Sequence, residues 1–250
     1  MSLLDGRTVL VTAAAGAGLG YASARRCARE GARVVLSDVH ERRLAAAADR
    51  FAEETGTAPV AAIPCDVRDT AQVDALVSAA VEAAGAIDVL VNNAGLGGDQ
   101  AVADMTDEEW DRVIDVSLTS VFRVTRAMLR HMVPRGTGAI VNLASVSGWR
   151  AQRRQAHYAA AKAGVMAFTR CVALEAADAG IRVNAVAPSL ARHPFLEKTV
   201  SRELLDELAA REAFGRAATP DEVAGVVVFL ASDLSAYMTG EVVSVSNQHP

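Results

Sequence analysis

A tyrosine and a lysine four residues apart, Tyr158 and Lys162, close a stretch that begins at Ser145. Residues four apart share one face of a helix, so the phenol and the ammonium can point into the same space. A free phenol titrates near pH 10, too high for a base near neutrality. A cation beside it favours the phenolate and lowers that pKa. The pair reads as a general acid/base, with Lys162 tuning Tyr158. Ser145 follows the apolar run Ala139–Leu143, which reads as a strand. Its hydroxyl falls at the strand's carboxyl end, where open α/β sheets place ligands. There it can hold a carbonyl or alcohol oxygen while Tyr158 moves a proton. The chain has only two lysines, Lys162 and Lys198, and is rich in arginine. A lysine kept where arginine is the habitual cation points to a need for a compact ammonium.

The elements that must position these groups alternate along the chain. Arg7–Thr12 is a short apolar strand, the loop Ala13–Gly20 follows, and a helix runs over Tyr21–Glu30. Strand, glycine loop and helix make a dinucleotide-binding start, in which Gly16, Gly18 and Gly20 let backbone approach a pyrophosphate at the helix N-terminus. Arg33–Ser37 is the second strand, and Asp38 ends it. A carboxylate there can accept from adenosine ribose hydroxyls and repels a 2′-phosphate. The glycine loop holds no Arg or Lys, and Arg42 and Arg43, the nearest cations, read as solvent-facing. The site is therefore expected to prefer NAD. Further helices are expected over Glu41–Thr55, Asp69–Ala84, from the capping box Thr106–Glu109 to about Met132, from Tyr158 to about Ala179, and from the Thr219 cap to about Ala231. Further strands are expected at Val60–Cys65, Ile87–Val91, Ile181–Ala187 and Glu241–Ser246. The pattern gives an α/β fold, a single Rossmann-type doubly wound domain over residues 1–250. Its parallel sheet has about seven strands, with helices on both faces.

The set Ser145, Tyr158, Lys162, with the serine thirteen residues before the tyrosine, resembles the short-chain dehydrogenase/reductase family. The resemblance covers nearly the whole chain. It implies an oxidoreductase that interconverts a secondary alcohol and a ketone with NAD. Tyr158 moves the proton, Lys162 also binds the nicotinamide ribose, and Ser145 orients the substrate oxygen. Thr12, Gly18, Leu19 and Gly20 match the family's glycine motif. Its first glycine is missing, the loop is one residue longer, and the role of Gly16 stays open. Asp66 and Val67 match a pair beside the adenine; Asp66 also reads as an N-cap for the following helix. Asn93, Ala94 and Gly95 belong to a match with N-N-A-G, which steadies the sheet and lets backbone pass close to the cofactor. Ser117 stands where the family commonly has an asparagine that holds a water in a proton relay to the lysine. Pro188-Ser189-Leu190 replaces a Pro-Gly-x segment that receives the nicotinamide amide. Phe195–Phe214 falls where the family has a mobile substrate lid, and the tail Asn247–Pro250 lacks the usual paired glycines.

Composition bounds the rest. The chain has 250 residues, 51% of them hydrophobic, and a net charge of −5. That allows one large core and argues against general nucleic-acid binding. Cys27, Cys65 and Cys171 lack metal spacing and read as buried thiols in a reducing compartment, and no metal is expected. The segment Met1–Arg7 lacks a signal-peptide layout, and no apolar run approaches a membrane span of about 20 residues. A soluble cytoplasmic protein is expected. Apolar residues on several helix faces (Val121, Val124, Met128, Val165, Phe168, Val172) and the resemblance together suggest a homotetramer or homodimer.

The substrate is a small molecule bordered by Trp149, Arg150, Arg153 and Arg192. Clustered arginines suit carboxylates or phosphates, hence an acyl-CoA or acidic ketone; solvated or interface arginines are the competing reading. The loop, Ser117, the segment around Arg192-His193 and the tail resemble an actinobacterial subgroup acting in steroid C/D-ring catabolism. Two alternatives stand beside this: a 3-oxoacyl-thioester reductase, and a non-catalytic cofactor-sensing or scaffold protein of the same fold. Turnover separates the last from the others.

Overall fold

The structure is a computed structural model that describes residues 2–194, 196–199 and 201–247. Met1, Phe195 at the head of the expected lid, Val200 and tail residues 248–250 lie outside the described residues. The elements in order are β1 (Thr8–Val11), α1 (Leu19–Arg29), β2 (Arg33–Asp38), α2 (Glu41–Thr55), β3 (Ala61–Pro64), α3 (Thr70–Ala84) and β4 (Val89–Asn92). Then come α4 (Asp107–Ile114), α5 (Ser120–Met132), β5 (Gly138–Leu143), α6 (Ala156–Ala177) and β6 (Ile181–Pro188). The chain closes with α7 (Leu196–Thr199), α8 (Arg202–Arg211), α9 (Pro220–Ala231) and β7 (Val242–Val245). The strands form one seven-stranded sheet, ordered β3-β2-β1-β4-β5-β6-β7. Every paired neighbour is parallel.

The central strands β1, β4, β5 and β6 are buried on both faces because each face carries helices, while the edge strands β3 and β7 are less covered. Alternate residues feed the two layers. Val9, Val11, Val34, Leu36 and Val91 pack with α1, α2 and α9, through residues such as Ala24, Phe51 and Val227. Leu10, Val35, Leu90 and Ile140 pack with α3, α5 and α6, through residues such as Leu76, Met128 and Val172. The strand order reverses between β1 and β4. The crevice beyond their carboxyl ends is where a doubly wound sheet binds its ligand.

Four expectations differ from the structure. The helix expected to run unbroken to Met132 is interrupted by one π-helical turn, Asp115–Thr119, between α4 and α5. A single wide turn barely disturbs a 3.6-residue apolar pattern, so the sequence does not register it. The N-cap of α3 is Asp69, which accepts from the N–H groups of Ala71 and Gln72, and not Asp66. Cys27 and Cys65 are buried, but Cys171 is exposed on α6. Val121, Val124, Met128, Val165 and Val172 are covered within the chain, so they carry no argument for a partner. Among the described residues no helix is long and apolar enough to cross a membrane.

Candidate active site

β5 delivers Ser145 to the sheet's carboxyl edge, and α6 presents Tyr158 and Lys162 to it. Glycine permits that approach: a Cβ on Gly148, in the turn after Ser145, would lie 2.9 Å from the Ala163 nitrogen and 3.0 Å from the Lys162 carbonyl carbon. The Ser145 Oγ accepts from the Ser147 N–H at 3.2 Å, and Ser145 lies near enough to the Tyr158 hydroxyl to draw its pKa down. The Ser145 hydroxyl keeps its proton and a second lone pair, so it can donate to or accept from the phenol. Tyr158 is half-buried, and desolvation of its hydroxyl pushes its pKa up, while the Ser145 bond pulls it down.

Lys162 is 3% exposed. Its Nζ donates to the Leu143 carbonyl at 2.6 Å and lies 5.7 Å from the Tyr158 ring centroid. Burial lowers its pKa to about 8. The expected lowering of the Tyr158 pKa by Lys162 is not what governs the phenol here; desolvation does, and Ser145 opposes it. A buried amine near its own titration point is a weaker cation than a solvated one.

At the other side of the crevice, the glycine loop is locked to β4. Thr12 Oγ1 accepts from the N–H groups of Asn93 (3.0 Å) and Ala94 (3.3 Å). Asn93 Nδ2 donates to the carbonyls of Thr12 (3.1 Å) and Ala13 (3.0 Å). Gly20 is glycine for space: a Cβ there would lie 2.6 Å from the Ala13 oxygen. A Cβ on Gly18 would meet the His193 ring at 3.6 Å, while one on Gly16 would touch only the Gly18 nitrogen, at 3.8 Å. The missing first glycine has a visible cost, since Ala13 sits at φ +52°. Left-handed backbone costs a non-glycine residue about 1 kcal/mol or more.

Helix α1 begins at Leu19 behind Gly18 with no side-chain cap and no acidic residue in its first turn. Its unpaired N–H groups and positive dipole end fit a dinucleotide's pyrophosphate. Asp38 is 8% exposed, and its carboxylate accepts from the N–H groups of Ala15 (3.1 Å) and His40 (3.0 Å). Desolvation raises its pKa, against the pull of the Ala15 N–H, of Arg43 and of the Val39 backbone. Sequence reading missed Arg50. Its Nη2 donates to the Gly16 carbonyl at 3.2 Å, and its guanidinium stacks 3.9 Å from the Tyr21 ring centroid. Arg50 is 34 residues from Gly16, and no local pattern links them.

Of the remaining expected cofactor residues, Asp66 is ion-paired with Arg68 at 2.6 Å, which lowers its pKa, and Val67 beside it is half-buried. Pro188 ends β6, and the Leu190 carbonyl accepts from the Ala218 N–H at 2.9 Å. A Cβ on Gly95 would lie 3.3 Å from Lys162 Nζ, so that glycine makes room for the lysine.

Ser117 differs from its expected role. It is fully buried in the π turn, where Oγ accepts from the Leu96 N–H at 2.8 Å and donates to the Leu96 carbonyl at 2.9 Å. A serine has one proton to donate. That proton is committed to Leu96, so Ser117 fastens backbone here and does not present a donor to a relay water.

Residues 93–100 thereby form a strap past the whole site. Asn93 holds the glycine loop, Gly95 abuts Lys162, Leu96 is gripped by Ser117, and Gly98 lies against His157. Beyond it, Arg154 pairs with Asp99 at 2.7 Å and reaches Gln100 Oε1 at 3.3 Å.

The substrate expectations thin out. Arg192 pairs with Glu197 (2.8 Å) and Asp206 (2.7 Å), tying the loop after β6 to α7 and α8. With Asp206, Arg216 and Thr219 it lines a pocket of about 540 Å³ that Ser145, Tyr158 and Lys162 do not line. Trp149 and Arg153 are exposed, and Arg150 is half-buried.

Comparison with known proteins agrees with this geometry. A family model described as enoyl-(acyl carrier protein) reductase matches residues 13–247. A Mycobacterium tuberculosis protein is 65% identical over 250 residues, 99% of this chain and 95% of its own; it is named "(5R,7aS)-5-hydroxy-7a-methyl-1-oxo-2,3,5,6,7,7a-hexahydro-1H-indene-carboxyl-CoA reductase". A crystal structure of a short chain dehydrogenase from Mycobacterium smegmatis superposes with a TM-score of 0.89 at 57% identity, covering 100% of this chain and 95% of its own. An actinorhodin polyketide ketoreductase variant solved with NADPH superposes at 0.92 with 38% identity, covering 99% of this chain and 98% of its own.

Proposed function

The chain belongs to the short-chain dehydrogenase/reductase family of nicotinamide-dependent oxidoreductases, and we propose that it interconverts a ring ketone and a secondary alcohol on a CoA thioester, with NAD(H) preferred. The observation that carries the reaction class is the convergence of Ser145, Tyr158 and Lys162 beyond β5, across the crevice from an uncapped glycine-loop helix. The substrate class rests on the name of the relative from Mycobacterium tuberculosis, an indene-carboxyl-CoA reductase. Arg150 and Arg153, in the loop that leads from Ser145 to Tyr158, are arginines that suit such an anion.

The roles follow from the chemistry of each group. Ser145 donates to the substrate oxygen, and Tyr158 gives it a proton in reduction or takes one in oxidation. A bound nicotinamide supplies or receives the hydride. Desolvation keeps the phenol protonated near neutrality, which suits donation to a ketone; oxidation must first remove that proton. Lys162 holds the cofactor's ribose end of the site and reloads the phenol. Asp38 favours ribose hydroxyls over a phosphate. Arg50 at the Gly16 carbonyl supports a second reading, NADP(H), because it brings a cation to the loop. The assembly is proposed to be a homodimer or homotetramer.

The test is turnover of the indene-carboxyl-CoA ketone with NADH and with NADPH, for wild type and Tyr158→Phe. Loss of the phenol oxygen should lower kcat by about a hundredfold or more while NADH still binds. A variant that retains a tenth of wild-type kcat would remove Tyr158 from the reaction. Wild-type turnover that is faster with NADPH would move the cofactor assignment to the second reading. No turnover with either cofactor would favour a scaffold role.

A further inference from the structure

The helix that carries Tyr158 starts without a cap. Gln155, at its N-cap position, has φ −123° and ψ 27°, and its side chain accepts no hydrogen bond from the first turn. Four helices here are capped by side chains, Asp69 on α3, Thr106 on α4, Ser201 on α8 and Thr219 on α9, while α1 and α2, like α6, are not. A helix start without a cap leaves N–H groups unpaired and frays, at a cost of about 1 kcal/mol relative to a good cap. In α6 the first turn is Ala156, His157, Tyr158. Fraying there would move the phenol itself.

Something else must hold that turn. His157 is 2% exposed, although imidazole is a polar ring in the first turn of a helix. It is seated against Gly98 of the strap: a Cβ at Gly98 would fall well inside contact distance of His157 Nε2 and lie 2.9 Å from Cε1. Gly98 does not have a positive φ, so the glycine is there for space and not for conformation. The notch is rigid on both sides. Leu96, two residues before it, is gripped twice by buried Ser117. Asp99 and Gln100, directly after it, are held by Arg154, and the Gln100 N–H donates to the Arg154 carbonyl at 2.8 Å. The His157 Nδ1 is buried and has no hydrogen-bond partner. A polar atom left so is costly, and the ring stays buried because packing holds it. The other end of the Tyr158–Lys162 segment is fixed independently, by the backbone approach at Gly148.

We propose that His157 is a positioning residue: seated in the Gly98 notch, it takes the place of the absent cap on α6 and sets the Tyr158 phenol against Ser145. The proposal rests on the reading of Tyr158 as the acid/base. It adds that the strap, and not the helix alone, determines where that phenol lies. His157 touches neither substrate nor cofactor in this role.

The variants that test it are His157→Ala, Gly98→Ala and the two combined. Kinetics use NADH and the indene-carboxyl-CoA ketone. Tyr158 ionisation is followed by phenolate absorbance, with Tyr158→Phe as the blank for the other two tyrosines, and needs no substrate. Each single variant should lower kcat by about tenfold with little change in the KM for NADH, since misplacing a catalytic group by a fraction of an ångström acts on the chemical step. Each should also shift the Tyr158 titration upward, because the Ser145 hydrogen bond that lowers it is loosened. The double variant should be no worse than the worse single, as both changes remove one contact. If Gly98→Ala does not fold, His157→Ala carries the test alone, because it only opens space. Wild-type kcat and an unmoved Tyr158 titration in His157→Ala would overturn the proposal. So would a double variant whose loss is the product of the singles. Failure of the underlying reading looks different: Tyr158→Phe keeps its turnover, whatever His157 does.

Discussion

Lys162 is a buried ammonium whose neighbour is a carbonyl and not a carboxylate. Its pKa falls from 10.5 to about 8 on folding, so between those values the native state binds fewer protons than the unfolded one. Stability therefore rises as pH climbs through that window, and below pH 8 the charge costs the fold on the order of 3 kcal/mol. Lys162→Met should abolish turnover yet raise the melting temperature at pH 7 by a few degrees, part of the gain being offset by the Leu143 carbonyl left without its donor. The difference from wild type should shrink as pH approaches 10.5. A variant that melts below wild type at pH 7 would show that the burial cost is outweighed. Asp38 poses the complementary question. Its carboxylate already accepts two backbone N–H groups and keeps lone pairs for ribose hydroxyls. Losing a charged acceptor costs about 1.5–3 kcal/mol, so Asp38→Ala should weaken NADH about tenfold or more and narrow the gap to NADPH. Arg50→Ala should lower the affinity for NADPH if that guanidinium meets the phosphate. Fluorescence titration with both cofactors reads the two effects, and unchanged ratios in both variants would clear these residues of discrimination.

Among the elements, the best read from sequence are those with local signals. The reciprocal boxes Thr106–Glu109 and Thr219–Glu222 fix the starts of α4 and α9 through backbone and side chain together. Helix α2 runs over the expected Glu41–Thr55 and stops at Gly56, whose φ of +74° suits glycine. Ser145, Tyr158 and Lys162 were legible because strand, turn and helix are near in sequence. The π turn, Arg50 and the His157–Gly98 seat were not, because each depends on a partner distant in sequence or on one misfit turn. The π turn turns Ser117 toward Leu96, and this changes what Ser117 is expected to do. Ser117→Ala removes a donor and an acceptor from the strap, so it should destabilise by about 1–3 kcal/mol. Any fall in kcat/KM should come through KM, with kcat near wild type once substrate and cofactor saturate and order the strap. A kcat loss of about a hundredfold at saturation, with a changed solvent isotope effect, would contradict a purely mechanical role for that hydroxyl.

At the scale of the molecule, the apolar surface left uncovered is not the one expected. Trp110 on α4, Phe122 on α5 and Leu174 on α6 are 39%, 42% and 79% exposed. Phe122 meets Phe168 edge-on at 6.5 Å and carries Arg126 4.7 Å above its ring. Exposed aromatics beside an arginine are typical of interface anchors. Solution scattering at micromolar concentration should give the mass of a dimer or tetramer, and Phe122→Asp should lower it; a monomeric wild type would end this expectation.

The strap also bears on how the molecule tolerates change in length. Segments outside helices and strands are ordinarily where chains gain and lose residues without harm. Residues 93–100 are outside both, yet four of them, Asn93, Gly95, Leu96 and Gly98, are set against four different parts of the molecule: glycine loop, lysine, π turn and the first turn of α6. One residue inserted there would put every later contact out of step by a position. In the glycine loop beside it, a Cβ on Gly16 would meet only the Gly18 nitrogen, at 3.8 Å, though Arg50 holds the Gly16 carbonyl. Of the two neighbouring loops over one crevice, the strap is the one that acts as a ruler of fixed length.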